Sequence, residues 1–420
     1  MDVKTSKSIA MIEEIPEVYQ LSNGVRVVYQ KSQSFVAHMG VFIQAGSRYE
    51  GENEEGLAHF LEHCIFKGTK NRAAIDIFSD LDSVGGELNA YTTKEEICIH
   101  ASFRNNHFSI ASELLNDIVQ FASFPIEEVE KEKEVVLDEI ISYLDSPSER
   151  IFDEFESHMF KGETLGLNTL GTKESVSSFT RQDLSNYKEK YFVAENVVIS
   201  FVGSISKSDF TKQLEENFGL MEQKTVILPK SPLLEFQKFS IVEKKANFQT
   251  HTLIGGRAPS YYDDSRRSMT LLTNVLGGPA LNSRLILSVR EKYGYAYSIE
   301  ANYTSYSDAG FWSIYMGTDK KYLKKAKDLI YKELELIRSK GLTKNELLQA
   351  KEQLKGHIAL SLDGNLEMMF SLAKSVIVHG RVDSMKEVYT QIDEISLAEL
   401  KEVATACYNV SELSSLVYQY

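Results

Sequence analysis

Three side chains within five residues, His59-Phe60-Leu61-Glu62-His63, could do chemistry together. Residues four apart on a helix project side by side, so His59 and His63 can offer their imidazoles to one metal ion. Glu62 lies on the same side, beside His63. Two neutral nitrogen ligands and a nearby carboxylate are what a zinc hydrolase uses to activate water. The order His-x-x-Glu-His is the inverted form of the His-Glu-x-x-His zinc motif; the alternative is a helix that carries these side chains by accident.

A catalytic zinc site usually has a third protein ligand, and an acidic helix further along the chain could supply it. Residues 129–143 are rich in glutamate and have helical periodicity. At about 100° per residue, Glu132 and Glu139 share a face with apolar residues, whereas Glu134 falls nearly opposite. A buried and unpaired carboxylate is costly, so these two glutamates need cationic or metal partners. The alternative is a solvated helix face whose acids pair with nearby lysines.

The motif and three segments around it resemble the pitrilysin family of zinc peptidases, which includes insulin-degrading enzyme and mitochondrial processing peptidase. The segments are Leu21-Ser-Asn-Gly-Val25, Ala45-Gly-Ser-Arg-Tyr-Glu50 and Gly85-Gly-Glu-Leu-Asn-Ala-Tyr-Thr92. The resemblance covers nearly the whole chain and is greatest to the short bacterial members that are similar to processing peptidase. It implies one Zn²⁺ per chain, with His59, His63 and Glu139 as ligands. Glu139 stands at the spacing from His63 that the family shows.

The resemblance also implies roles for residues around the metal. Glu62 is expected to act as the general base, and Glu132 is expected to orient the site by hydrogen bonding. A substrate peptide is expected to lie extended against the strand that contains Asn89 and Ala90, and to add main-chain hydrogen bonds to it.

In the second half, the resemblance points to Arg290 and Tyr297 as groups that bind the substrate carbonyl and stabilise the developing oxyanion. Tyr295 is a competing candidate, and Tyr293 is nearby. The alternative is that Tyr297 packs in a sheet and Arg290 caps a helix. Because the zinc ligands and the Arg/Tyr pair occur on one chain, we expect a homodimer in which Arg290 and Tyr297 act on the partner's zinc. In the family, two halves of this size close around a chamber like a clamshell.

The order of predicted elements indicates two homologous α+β domains, each a mixed, mainly antiparallel sheet with helices packed on it. We predict a zinc-binding domain over residues 1–220, a linker over 221–237 and a second domain over 238–420. Residues 238–339 repeat the strand and helix order of the first domain without repeating its sequence. The helix that would match the motif helix, around Ser268–Asn274, has no histidine pair, so the second copy is not expected to bind zinc.

Composition excludes several other classes of function. A net charge of −14 argues against nucleic-acid binding, which needs basic patches. The charge also weakly favours cationic peptide substrates, although solubility explains it better. No apolar stretch is long enough to span a membrane, and residues 1–15 lack the apolar core of a signal peptide, so we expect a cytoplasmic protein. The three cysteines fit reduced thiols.

The sequence therefore predicts a zinc-dependent endopeptidase that hydrolyses peptides or unfolded segments inside an enclosed chamber. One alternative is a non-catalytic scaffold subunit, as some family members have become, although those typically lose ligands that this chain keeps. Another is a narrow maturation protease that cleaves a single partner peptide by the same chemistry.

Overall fold

A computed structural model describes residues 15–229, 233–245 and 248–420 of the chain. The cytoplasmic prediction rests on residues 1–15, and residues 1–14 lie outside the described ranges. Pro232 of the predicted linker also lies outside them. In the described parts of residues 219–239 there is no helix or strand, and the domain boundaries remain predictions. Across the described ranges, no helix is long and apolar enough to cross a bilayer.

Six strands form the first sheet. From β1 to β6 they are Glu17–Gln20, Arg26–Lys31, Val36–Ile43, Glu87–Thr92, Ile97–Arg104 and Val197–Gly203. Their spatial order is β1-β2-β6-β3-β5-β4. The neighbours β2 and β6 run parallel, and every other neighbouring pair is antiparallel. The central strand β6 is buried along its whole length, which fits its run of valine, isoleucine and phenylalanine. The strand β4 is left at one edge of the sheet.

Five strands form the second sheet and repeat this arrangement. From β7 to β11 they are Ser240–Lys244, Thr250–Arg257, Ser298–Ser305, Gly310–Thr318 and Ser414–Gln419. The order β7-β11-β8-β10-β9 matches β2-β6-β3-β5-β4, with the parallel pair at the same place. The predicted class of two homologous, mainly antiparallel α+β domains is confirmed.

Fourteen α-helices accompany the sheets in the described ranges. From α1 to α14 they are Leu57–Cys64, Ala74–Asp82, Phe108–Phe121, Ile126–Leu144, Pro147–Met159, Lys173–Ser178, Arg181–Tyr191, Lys207–Phe218, Arg266–Gly277, Leu323–Lys340, Lys344–Ser361, Asn365–His379, Met385–Glu394 and Leu397–Cys407. A π-helical segment spans Ile286–Glu291. The short 3₁₀ turns are Ser47–Tyr49, Asn105–His107, Thr164–Gly166, Ala194–Asn196 and Val410–Glu412.

Each half of the chain lends one helix to the sheet of the other half. The helix α12 packs on the first sheet, where Met369 and Val376 meet Phe42 and Val198 in one apolar cluster. The helix α5 packs on the second sheet, where Phe155 lies against Phe239 and Phe311. Because each sheet needs a helix from the other half to bury one face, the two sheets form one continuous structure.

A buried ion cluster joins the two halves close to the edge strand β4. Arg48 is almost completely buried; it donates to Glu95 Oε1 at 2.6 Å and pairs with Asp308 at 2.9 Å. Glu95 belongs to the turn that follows β4, and Asp308 belongs to the turn between β9 and β10. The backbone N–H of Ser307 also donates to Glu95, at 3.0 Å. The second half therefore holds the turn that ends β4.

Candidate metal centre

The helix α1 is anchored at its first turn by a buried carboxyl group. Glu50 accepts hydrogen bonds from the backbone N–H groups of Gly56 at 3.0 Å and Ala58 at 2.8 Å. Gly56 has a φ of 91°, in the left-handed region, and a Cβ there would lie 2.5 Å from the Cα of Gly171. Only glycine fits this start. Apolar side chains of α1 are buried, and His59, Glu62 and His63 are left to face α4 and β4.

The helices α1 and α4 bring two imidazoles and one carboxylate together. His63 Nε2 lies 3.2 Å and His59 Nε2 lies 3.7 Å from Glu139 Oε2. All three donor atoms lie within 4.8 Å of one another. In a tetrahedral zinc site with bonds of about 2.1 Å, neighbouring donors lie about 3.4 Å apart. Glu134, on the same helix, is exposed, as the periodicity predicts.

Glu132 contacts His63 on the ring nitrogen that faces away from Glu139. Its Oε1 lies 3.0 Å from His63 Nδ1, and its Oε2 lies 2.6 Å from Lys67 Nζ. A carboxylate on Nδ1 favours the tautomer that leaves Nε2 free to bind a metal. Burial acts to raise the pKa of Glu132, but the hydrogen bonds of His63 and Lys67 outweigh it and lower that pKa. Glu132 is therefore ionised.

Glu62 is close to the ligands but does not join their cluster. Thr92, the last residue of β4, donates a hydrogen bond from Oγ1 to Glu62 Oε2 at 2.9 Å. Burial raises the pKa of Glu62 above its ordinary value, and the Thr92 hydrogen bond opposes this. A carboxylate with a raised pKa is a better proton acceptor than an exposed one, and Thr92 fixes where it points.

The residues fit a zinc ion by the chemistry of their donor set. Burial, and next the His63 imidazole, lower the pKa of His59 to about 4, so its ring is neutral as a ligand must be. The Nδ1 of His59 is buried and has no hydrogen-bond partner among the described residues. Two imidazole nitrogens and one carboxylate oxygen form a set that catalytic zinc sites use, with a fourth position open.

Arg290 and Tyr297 lie apart from this cluster in the described part of the chain. Arg290 lies in the last turn of the π-helical segment and is half exposed; among the described residues its ion pair is with Glu291, at 3.8 Å. Tyr297 is 67 % exposed and directly precedes β9. Tyr295 stacks between Tyr293 and Tyr322, with ring centroids 5.3 and 4.9 Å away. Tyr297 is thus more exposed than Tyr295, whose ring is engaged in packing.

Asn89 and Ala90 occupy the free edge of the first sheet. The side-chain oxygen of Asn89 accepts the backbone N–H of Ala90 at 2.8 Å. A main-chain donor at the edge is therefore covered by a short side chain that an incoming strand could displace.

Three neighbours of the cluster were not identified from the sequence: Glu50, Lys67 and Thr92. Glu50 and Thr92 belong to segments that carry the family resemblance, but nothing in their spacing shows that Glu50 reaches the first turn of α1 or that Thr92 reaches Glu62. Lys67 lies three residues beyond the end of α1, so helical spacing from His63 does not place it, and its pairing with Glu132 depends on how α1 meets α4.

Comparisons with known proteins show which family the chain belongs to. The family model described as insulinase (peptidase family M16) matches residues 26–173, and the model described as the M16 inactive domain matches residues 178–354. The chain belongs to peptidase family M16. The resemblance inferred from the sequence is therefore confirmed.

Named relatives of this M16 chain are described as uncharacterized zinc proteases. One from Bacillus subtilis is 33% identical over 95% of this chain and 97% of its own length. Another, from Mycobacterium leprae, is 32% identical over 93% of this chain and 88% of its own length. These names support a zinc metallopeptidase at the level of the family.

Solved structures share the fold of this M16 chain. A protease from Helicobacter pylori superposes with a TM-score of 0.88 over 96% of this chain and 99% of its own, at 19% identity. An M16 inactive domain from Pseudomonas fluorescens gives the same score over 96% and 98%, at 18% identity.

Proposed function

We propose that this protein is a zinc endopeptidase that hydrolyses peptides or unfolded segments. The observation that carries the proposal is the convergence of His59 Nε2, His63 Nε2 and Glu139 Oε2. These residues would hold one Zn²⁺ per chain. When bound, zinc would lower the pKa of a water molecule and polarise the scissile carbonyl.

The residues of this chain would perform the proton transfers. Glu62 takes a proton from the attacking water and delivers it to the leaving amine, and Thr92 keeps its carboxylate in place. Glu132 keeps the Nε2 of His63 turned toward Glu139 by its hydrogen bond to Nδ1, and Lys67 compensates the charge of Glu132. The substrate adds a strand to the free edge of β4. There a substrate carbonyl replaces the side-chain oxygen of Asn89 as the acceptor of the Ala90 N–H.

Arg290 and Tyr297 would complete the site from a second copy of the chain. Both side chains are exposed, and in the described residues neither has a hydrogen bond or ion pair with the zinc cluster. A guanidinium and a phenol are suitable donors for an oxyanion. In a homodimer that closes around a chamber, each chain would present this pair to its partner's zinc. Such a chamber, in the cytoplasm, would admit flexible chains and exclude folded proteins.

The general base is tested by Glu62→Gln. We expect zinc content to stay at one ion per chain while peptide hydrolysis falls by about 10²-fold or more, because the amide cannot accept the proton. The control is Glu134→Gln, which changes an exposed carboxylate on α4. Hydrolysis at the wild-type rate would reject Glu62 as the base. A chelator should abolish activity, and metal analysis identifies the ion.

The dimer is tested by mixing two inactive variants, Glu62→Gln and Arg290→Gln, and letting the chains exchange. If the halves act in trans, a heterodimer has one complete site and activity partly recovers. No recovery despite exchange would mean that Arg290 does not serve the partner.

A peptide library with mass spectrometry separates the remaining alternatives. Cleavage of many unstructured peptides supports a general endopeptidase. Cleavage of one partner peptide alone supports a maturation protease, and zinc binding without cleavage supports a scaffold.

A further inference from the structure

A cavity of about 810 Å³ lies between α9, α11, α12 and α13, and none of the proposed zinc or substrate residues lines it. Its volume lies within the range of small-molecule sites, about 300 to 1,000 Å³. Much of its wall is apolar. The aliphatic side chains used below are Leu354, Ile358, Leu362, Leu372, Val378 and Val382.

The polar part of the wall has the opposite charge to the protein as a whole. The described residues that line the cavity include four cationic side chains, Arg266, Arg267, Lys374 and Arg381, and one carboxylate, Asp383. The chain carries a net charge of −14. A cationic cavity concentrates anions even on an acidic protein, because the electrostatic potential inside a cleft is set mainly by the charges that line it.

Two of these cations, Arg266 and Arg267, lack a carboxylate partner in the described part of the chain. Lys374 pairs with Glu96 at 3.4 Å, and Arg381 pairs with Asp383 at 2.9 Å. Arg266 lies over the ring of Tyr261, 6.0 Å from its centroid, and neither Arg266 nor Arg267 has a recorded ion pair. Free guanidinium groups beside an apolar cavity are suited to a carboxylate, which they bind through paired N–H donors.

Three of the polar side chains in the wall are already hydrogen-bonded within the protein. Thr270 donates to the carbonyl of Arg266 at 3.1 Å, Ser375 donates to the carbonyl of Arg381 at 2.9 Å, and Gln391 donates to Asp383 at 3.0 Å. A bound peptide would bring amides that find few partners here, at a cost in free energy. A hydrocarbon chain needs no such partners.

We propose that this cavity binds an apolar chain that ends in a carboxylate, that is, a ligand of the fatty-acid type. The tail lies against the aliphatic side chains of α11 and α12, and the carboxylate meets Arg266 and Arg267 at the start of α9. The site is separate from the zinc cluster, and the proposal holds whether or not the protein is a peptidase.

The head group is tested by calorimetric titration of the full-length protein with two amphiphiles of equal tail length. Dodecanoate and dodecyltrimethylammonium differ in the sign of their charge, and both are used below their micelle concentrations. We expect dodecanoate to bind at one site per chain and at least tenfold more tightly than the cationic amphiphile. Equal affinities would overturn the proposal, because the tail alone would then account for binding.

The location is tested with variants. Arg266→Gln combined with Arg267→Gln should weaken dodecanoate binding at least tenfold. The matched control is Arg104→Gln combined with Arg181→Gln, which removes the same charge from exposed arginines elsewhere. Val378→Trp should block the tail, and thermal melting checks that each variant is folded. Unchanged binding in the Arg266/Arg267 variant would contradict the proposal, and so would tighter binding of an apolar peptide with a free C-terminus.

Discussion

The two halves of the chain share one strand order and differ where two helices meet. In the first half, α1 meets α4 and offers two imidazoles and two glutamates. In the second half, α9 meets α11, and Asn274 Oδ1 lies 3.2 Å from His357 Nδ1, while the amide of Asn274 donates to Gln353 at 3.5 Å. The framework is the same, but one meeting point contains carboxylates and the other is a hydrogen-bonded group of two amides and an imidazole.

This difference shows that the fold supplies the position of the site and a few side chains supply its chemistry. In the second half, the amides of Asn274 and Gln353 and the imidazole of His357 hydrogen-bond to one another, with no carboxylate among them. In the first half, Glu132 and Glu139 pair with the histidines, and Lys67 pairs with Glu132. Glu62 lies beside this cluster and is held by Thr92. Burial acts to lower the pKa of His63, but the hydrogen bonds of Glu132 and Glu139 raise it to about 9, so this cluster attracts positive charge, either a proton on His63 or a metal ion.

Removal of one carboxylate should therefore break the contrast. We expect Glu139→Gln to lower zinc affinity by at least about 10²-fold and to reduce hydrolysis to background, because a catalytic zinc site needs its third ligand. His357→Gln changes the corresponding helix of the second half and should leave both quantities unchanged. Zinc is measured by metal analysis after dialysis. Full zinc occupancy in the Glu139 variant would show that the ion binds elsewhere.

The exchanged helices α5 and α12 predict that the halves unfold together. Met369 of α12 is buried against the first sheet, and Met369→Ala should cost about 2–5 kcal/mol of unfolding free energy. Trp312, the one tryptophan of the chain, is buried in the second half and reports on it by fluorescence. We expect fluorescence and circular dichroism to give the same, lowered urea midpoint.

The control for this experiment is Leu348→Ala, which changes an exposed leucine of α11 and should alter stability by less than about 0.5 kcal/mol. A Trp312 transition that stays at the wild-type midpoint in Met369→Ala would mean that the halves are independent domains. The sequence boundary at residues 221–237 favours that independence, and the packing of α5 and α12 opposes it.

The sequence predicted local elements well and long-range pairings poorly. Periodicity predicted the motif helix α1 and the acidic helix α4, whose pattern over residues 129–143 falls within Ile126–Leu144, because their apolar residues repeat at helical spacing. The helices α11 to α14 and the strand β11 were not predicted. The exchange of α5 and α12 could not be predicted, because an apolar helix face does not indicate which of the two sheets it will pack against. The bond of Thr92 to Glu62 likewise depends on how β4 meets α1.

The anchors of α1 and α9 form the last contrast between the halves. Glu50 bonds two N–H groups at the start of α1, whereas the cap residue of α9, Ser265, makes no side-chain bond there. Burial raises the pKa of Glu50 to about 8, and the two backbone bonds oppose that rise. The folded protein thus keeps a proton on Glu50 at pH values where the unfolded chain has lost it. The stability that this proton contributes is complete below about pH 4.5, the pKa of an unfolded glutamate, and is lost as pH rises through about 8.

Glu50→Gln should therefore cost most at low pH. We expect a loss of about 1–3 kcal/mol at pH 5, because the amide replaces one hydrogen-bond acceptor with a donor that faces a backbone N–H. The loss should shrink toward pH 8.5, where the wild type must bury a charge that the variant lacks. Urea unfolding of the chelator-treated protein at three pH values measures it, with Glu52→Gln, an exposed neighbour, as the control. A loss that grows with pH would mean that the two backbone bonds outweigh burial and keep Glu50 ionised, so that α1, unlike α9, begins on a buried negative charge.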